Sequence, residues 1–186
     1  ESLLELVLPP SPIAINLSFR QFQDIQLLST LSRLISERGV EAQWLDFELT
    51  ETAVMRRSDL VKQTMDALGR LGVRFSLDDF DTGFSSFVHL NSLPITLLKI
   101  DKSFVGGMEQ REENRQLVHA MINLAHNLNL EVVAEGVETS EQLELLRGFG
   151  CDQVQGYLIS KPLPLAELVD YLSFGSSQQP ALEIVV

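Results

Sequence analysis

Short apolar runs that carry an acid, an amide or a lysine at their far end recur along this chain, separated by helix-length segments. IAINLS delivers Asn16, LDFELTE delivers Glu48 and Glu51, and RFSLDDF delivers Asp78 and Asp79. LLKID adds Lys99 and Asp101, EVVAEGVE adds Glu135 and Glu138, and QVQGY adds Gln155. Brief apolar runs bounded by turn residues read as buried strands, and strands alternating with helices imply a parallel sheet. In a parallel barrel all strand exits open onto one face, where barrel enzymes carry their chemistry. The pattern therefore predicts an α/β fold with a polar ring at one face. Carboxylates, an amide and a lysine form the group set that divalent cations and a phosphate ester require.

Six strand–helix units follow from the periodicity. Residues 1–7 read as the tail of a helix stopped by Pro9, Pro10 and Pro12. Strands are expected at 13–17, 45–49, 73–77, 97–100, 132–134 and 154–157. Helices are expected at 22–38, 58–71 with Ser58 as cap, 112–129, 140–149 and 165–172, with a short one before Pro94. In the helix over 112–129, Leu117, Met121, Leu124 and Leu128 share a face, with Val118 and Ala125 beside them. Asp81 to Ser86 form a turn-rich loop. Residues 175–180 are polar, and the apolar end 184–186 has no assigned place. Six units fall two short of a closed eight-stranded barrel, so the strands at 13–17 and 154–157 are expected to be open edges.

Composition narrows the function classes. A formal net charge of −12 argues against sequence-independent nucleic-acid binding and against docking on an anionic membrane through a basic surface. A small anionic substrate remains compatible, because a bound divalent cation reverses the local sign. The single cysteine, Cys151, excludes an intrachain disulfide and reads as a small core residue. No apolar run approaches the roughly 20 residues a membrane helix needs, so a cytoplasmic domain is expected. Trp44 reads as a packing residue. His89, His119 and His126 have no ligand-like spacing and read as surface or packing residues.

Seven segments occur in one order: NLSFRQF, ELTET, DDFDTGFSS, LKIDKSFV, AEGVET, QGY and SKPLP. Together they resemble the EAL-domain phosphodiesterases that cleave cyclic di-GMP, over residues 13–172. The resemblance implies a TIM-like (β/α) barrel, hydrolysis of one phosphodiester to linear pGpG, and dependence on Mg²⁺ or Mn²⁺. It implies one EAL-type domain over residues 1–174 with a tail at 175–186. Cyclic di-GMP is the implied ligand, dimerisation is implied through the loop region at 80–86, and another protein partner is the alternative, covering the open edges.

Residue by residue, the resemblance implies that Asn16, Glu48 and Asp78 hold a first metal ion. Asp78 bridges to a second, with Asp79 and Glu135 as its further ligands. Two hard cations about 4 Å apart on oxygen ligands can clamp an in-line displacement. Lys99 corresponds to the lysine that holds the attacking water or the phosphoryl oxygens, and Glu135 to the general base. Gln155 is implied in ligand contact. Thr50 and Glu51 are implied in bracing the loop at 80–86, and Glu138 in orienting the ligands of the site.

Two departures qualify the activity. The Glu-Ala-Leu signature, which supplies a further metal-binding glutamate, does not occur in these 186 residues. The same stretch would supply the two strands that the count lacks, so the barrel is expected to be incomplete, its first two strands missing. Asp81 stands where the family loop has glycine, adding a charge close to Asp78 and Asp79 in sequence. Weak or no turnover is expected for this chain. A non-catalytic cyclic di-GMP receptor or a protein-interaction module is the alternative.

Overall fold

A computed structural model describes residues 12–50, 59–78, 93–174 and 183–184. Contacts group the chain into two units, Glu1–Leu97 and Leu98–Val186.

The first unit is built on three parallel strands in sequence order, β1 (Ile13–Asn16), β2 (Leu45–Thr50) and β3 (Arg74–Asp78). Ser18 opens α1 (Phe19–Phe22) through a capping box in which Gln21 N donates to Ser18 Oγ and Ser18 N donates to Gln21 Oε1. After α2 (Leu27–Arg38), closed by Gly39, a 3₁₀ turn at Ala42–Trp44 leads into β2. Helix α3 (Asp59–Leu71) buries Val61, Thr64, Met65 and Leu68, an i, i+3, i+4, i+7 stripe that fits a helix on a sheet. Phe75 is the centre of this core, its ring 6.2 Å from both Phe22 and Phe47. Alternation along β2 and β3 sends Phe47, Leu49, Phe75 and Leu77 one way. Glu48, Thr50, Ser76 and Asp78 go the other way. β1 is the edge of this sheet, with Ile13 46% and Ile15 38% exposed, as the strand count anticipates.

The second unit carries β4 (Leu97–Ile100), whose first residue closes the first unit, then β5 (Glu131–Ala134), β6 (Gln153–Val154) and β7 (Glu183–Ile184), in that order. Its helices are α4 (Lys102–Val105), α5 (Glu112–Asn127), α6 (Ser140–Gly148) and α7 (Leu165–Phe174). Leu98, Ile100, Ile122, Val132, Val133, Leu146 and Val154 are buried in its core. Full burial of such side chains stabilises by about 1.5–3 kcal/mol each.

Several expectations shift. The buried face of α5 is Val118, Met121, Ile122 and Ala125, while Leu117, Leu124 and Leu128 flank it half-buried. The apolar stripe is wide, and its centre is set by the contact rather than by the leucines. The helix expected at 22–38 is two, because Ser18 caps the chain earlier and a turn follows Phe22. β6 is not an open edge: β7 pairs parallel with it through Gln153↔Glu183 and Val154↔Ile184. Ile184 thereby acquires a place. The expected features at residues 1–7, at Ser58, at Asp81–Ser86, at His89, before Pro94 and at 175–180 lie outside the described residues.

Candidate active site

Register fixes where the first group of flagged residues falls. Asn16 at the end of β1 is the direct partner of Glu48, and Thr50 at the end of β2 is the direct partner of Asp78. Paired residues in a sheet share a face, as do residues two apart in one strand. Asn16, Glu48, Thr50 and Asp78 therefore lie on one face at the strand exits, and Leu17 N donates to Glu48 O at 2.9 Å to hold the β1 exit in place. Glu48 is buried, Asp78 half-buried, and Asn16 and Thr50 exposed.

Ser76 belongs to the same face, opposite Glu48 and two residues before Asp78. Its Oγ is buried and has no hydrogen-bond partner among the described residues. A buried hydroxyl normally has one. The polar face of this unit thus offers carboxylate and amide oxygens, with a hydroxyl beneath them that can still bond. That donor set fits a hard divalent cation with its water shell. Composition signals Ser76 as a polar residue within an apolar strand, though nothing in the sequence reports its bonding.

The second group sits in the other unit. Lys99 Nζ lies 2.5 Å from Glu135 Oε1, the lysine side chain 9% and the glutamate side chain 22% exposed. Both are at strand exits, Lys99 inside β4 and Glu135 directly after β5. Backbone bonds seat the exits: Glu135 N donates to Ile100 O at 3.0 Å, Gln155 N to Ala134 O at 2.9 Å and Val137 N to Gln155 O at 3.0 Å. Gln155 is half-buried and Glu138 exposed. Gly156 allows the approach, since a Cβ there would stand 2.2 Å from Val137 O.

Asp101 also stands at a strand exit, yet its carboxylate caps α4 by accepting from Ser103 N at 2.9 Å. Hydrogen bonds from the Ser103 side chain and backbone hold its pKa below the usual value of 3.8. Cys151 donates to Gln153 O and Val132 O, and burial raises its pKa to about 12. His126 Nε2 meets Asp152 Oδ2 at 2.8 Å, and His119 stacks on Phe149. Trp44 is half-buried.

Glu51, Asp79 and Asp81 lie outside the described residues. Among the described residues, no cluster of three or more His, Cys, Asp or Glu side chains is arranged to hold a metal ion. No helix among them is long and apolar enough to cross a membrane.

Comparisons with known proteins converge. The EAL domain model matches residues 2–162. The cyclic di-GMP phosphodiesterase NbdA of Pseudomonas aeruginosa is 39% identical over 160 residues, 86% of this chain and 20% of that protein. The EAL domain of Mycobacterium smegmatis DcpA superposes with a TM-score of 0.81 at 33% identity, covering 91% of this chain and 75% of that one. The PaMucR phosphodiesterase in complex with c-di-GMP superposes with a TM-score of 0.79 at 38% identity, covering 84% of this chain and 64% of that one. The chain spans about a fifth of the length of the curated relatives it matches. Its fold class is α/β, an incomplete TIM-like (β/α) barrel.

Proposed function

The chain belongs to the EAL domain family, and on that footing we propose that it is a cyclic di-GMP phosphodiesterase domain, cleaving one phosphodiester to linear pGpG. The observation that carries this reading is the Lys99–Glu135 pair, a mostly buried lysine and carboxylate in direct contact at two strand exits. A simple structural ion pair would satisfy the same distance. Its position beside Gln155, within a chain that matches phosphodiesterases over 84–86% of its length, favours the catalytic reading.

In this reading Asn16, Glu48, Asp78, Asp79 and Glu135 hold Mg²⁺ or Mn²⁺. When bound, two such ions polarise the phosphoryl oxygens and make water acidic enough to attack at neutral pH. Lys99, whose ammonium carries only donors, would hold a phosphoryl oxygen or the attacking water. Glu135 would accept the proton that the attacking water loses. Gln155 orients the ligand through its amide. Thr50, Glu51 and Glu138 brace neighbouring segments. Residues 1–174 form the functional domain and 175–186 a tail, and the domain works in the cytoplasm as a homodimer or with another protein.

For the 186 residues alone, turnover is weak or absent, because the Glu-Ala-Leu glutamate does not occur in them. A second reading is a receptor that binds cyclic di-GMP without cleaving it. The deciding experiment follows cyclic di-GMP binding and pGpG formation together, with and without Mn²⁺. Binding with slow or no pGpG formation is expected. Hydrolysis at an ordinary enzyme rate overturns the expectation of weak turnover and supports the phosphodiesterase. No binding under either condition overturns both nucleotide readings and leaves an interaction module.

A further inference from the structure

The turn that carries Glu135, residues 135–139, is fixed in two halves by different means. Its first half is held by backbone bonds to the strand exits: Glu135 N to Ile100 O, Val137 N to Gln155 O, and Leu158 N to Val137 O at 2.9 Å. Gly136 sits there at φ 68°, where a Cβ would stand 2.4 Å from Lys102 Cβ, so the turn packs directly on α4. Among the described residues, no strand backbone bonds to the second half. It is held by the side chain of Gln142, one turn into α6 and 5% exposed.

Gln142 Oε1 accepts from Glu138 N at 2.8 Å and from Thr139 N at 3.2 Å. In return Gln142 N donates to Thr139 Oγ1 at 3.1 Å, and that hydroxyl donates to Glu109 Oε1. A capping box needs only the reciprocal pair between Thr139 and Gln142. The bond to Glu138 N is additional, reaching beyond the helix into the turn itself.

We propose that Gln142 is a positioning residue: it clamps the turn at 138–139 and thereby holds the Glu135 carboxylate against Lys99 Nζ. Its effect on the reaction rests on the phosphodiesterase reading; its effect on the turn does not. Gln142→Leu removes the shared acceptor in a part-buried setting. Gln142→Glu keeps a carboxylate oxygen for both N–H groups, at a helix N-terminus that favours negative charge.

The test compares the unmodified chain, Gln142→Leu and Gln142→Glu by residue-resolved amide exchange and by Mn²⁺-dependent cyclic di-GMP binding. Losing a net hydrogen bond corresponds to about tenfold, so Gln142→Leu should speed exchange about tenfold at Glu138 and Thr139. It should also speed exchange at Glu135 and Val137, which Gln142 does not touch, and weaken cyclic di-GMP binding, while Gln142→Glu restores all of these. If Gln142→Leu does not fold, Gln142→Asn, one methylene shorter, takes its place with the same expectation. Faster exchange confined to Glu138 and Thr139 overturns the proposal, leaving Gln142 a helix cap. Failure of Gln142→Glu to restore exchange at Glu135 and Val137 overturns it too. If the unmodified chain binds no cyclic di-GMP, the phosphodiesterase reading fails, and exchange at Glu135 and Val137 alone decides the role of Gln142.

Discussion

The two units place different groups at their strand exits. In the first, Glu48 and Asp78 place two carboxylates on one face of adjacent strands, with Asn16 and the buried Ser76 hydroxyl beside them. In the second, Glu135 meets Lys99 at 2.5 Å, and the turn carrying it is bonded along its length. Two carboxylates on one face are the kind of oxygen donors that a hard divalent cation takes. A carboxylate against an ammonium is balanced within the unit. In the proposed phosphodiesterase both sets of groups would serve the metal ions, and Glu135, paired with Lys99, would in addition take up a proton.

The largest expected effect comes from breaking the balanced pair. Lys99→Met leaves the mostly buried Glu135 carboxylate facing a methyl group, and removing one partner of a buried pair costs about 3 kcal/mol. Urea denaturation should show that loss, and Lys99→Met combined with Glu135→Leu should recover most of it. A loss under about 1 kcal/mol would place the pair with ordinary surface ion pairs and dissolve the contrast.

Next is the cation on the first face. Mn²⁺ at about 100 times its dissociation constant should stabilise the chain by about 2.7 kcal/mol. Glu48→Gln and Asp78→Asn should each abolish most of that gain in thermal unfolding. Persistence of the gain in both variants would show that the metal binds elsewhere.

How much of this was legible beforehand depends on what kind of interaction each feature rests on. Strand exits were legible because a chain that buries every few residues must return to solvent at regular intervals; Asn16, Glu48, Asp78, Lys99, Glu135 and Gln155 all fall at or beside such exits. The role of Gln142 was not, because its buried oxygen bonds backbone N–H groups, which carry no residue identity. β7 was missed because two paired residues are too few to show a period. The shift of the α5 face from Leu117 and Leu124 to Val118 and Ile122 has a similar cause: a wide apolar stripe fixes the helix but not its rotation.

Cys151 tests whether the second unit keeps its interior closed. Burial holds its thiol neutral up to about pH 12, against an ordinary value of 9.0. Because the folded pKa is the raised one, the contribution to stability is intact below pH 9 and falls as pH rises beyond it. By pH 10 the loss attributable to this group is about 1.4 kcal/mol, and Cys151→Ala should flatten that part of the profile. Rapid alkylation of Cys151 in the folded chain at pH 8 would contradict the closed interior.

The smallest effect separates a strand-exit acid that caps from those proposed to act. Asp101 has the sequence context of Glu135, an acid closing an apolar run, yet its carboxylate is occupied by Ser103 at the start of α4. Asp101→Ala should cost about 1 kcal/mol, the usual worth of such a cap, and should leave Mn²⁺ stabilisation unchanged. Its folded pKa is depressed, so its contribution is present above the ordinary value of 3.8 and lost as pH falls through the lower folded value. Asp101→Asn keeps a capping oxygen but no titrating charge. The stability difference between it and the unmodified chain should therefore shrink between pH 5 and pH 2. A pH-independent difference would mean that the carboxylate is not bonded to Ser103 in solution.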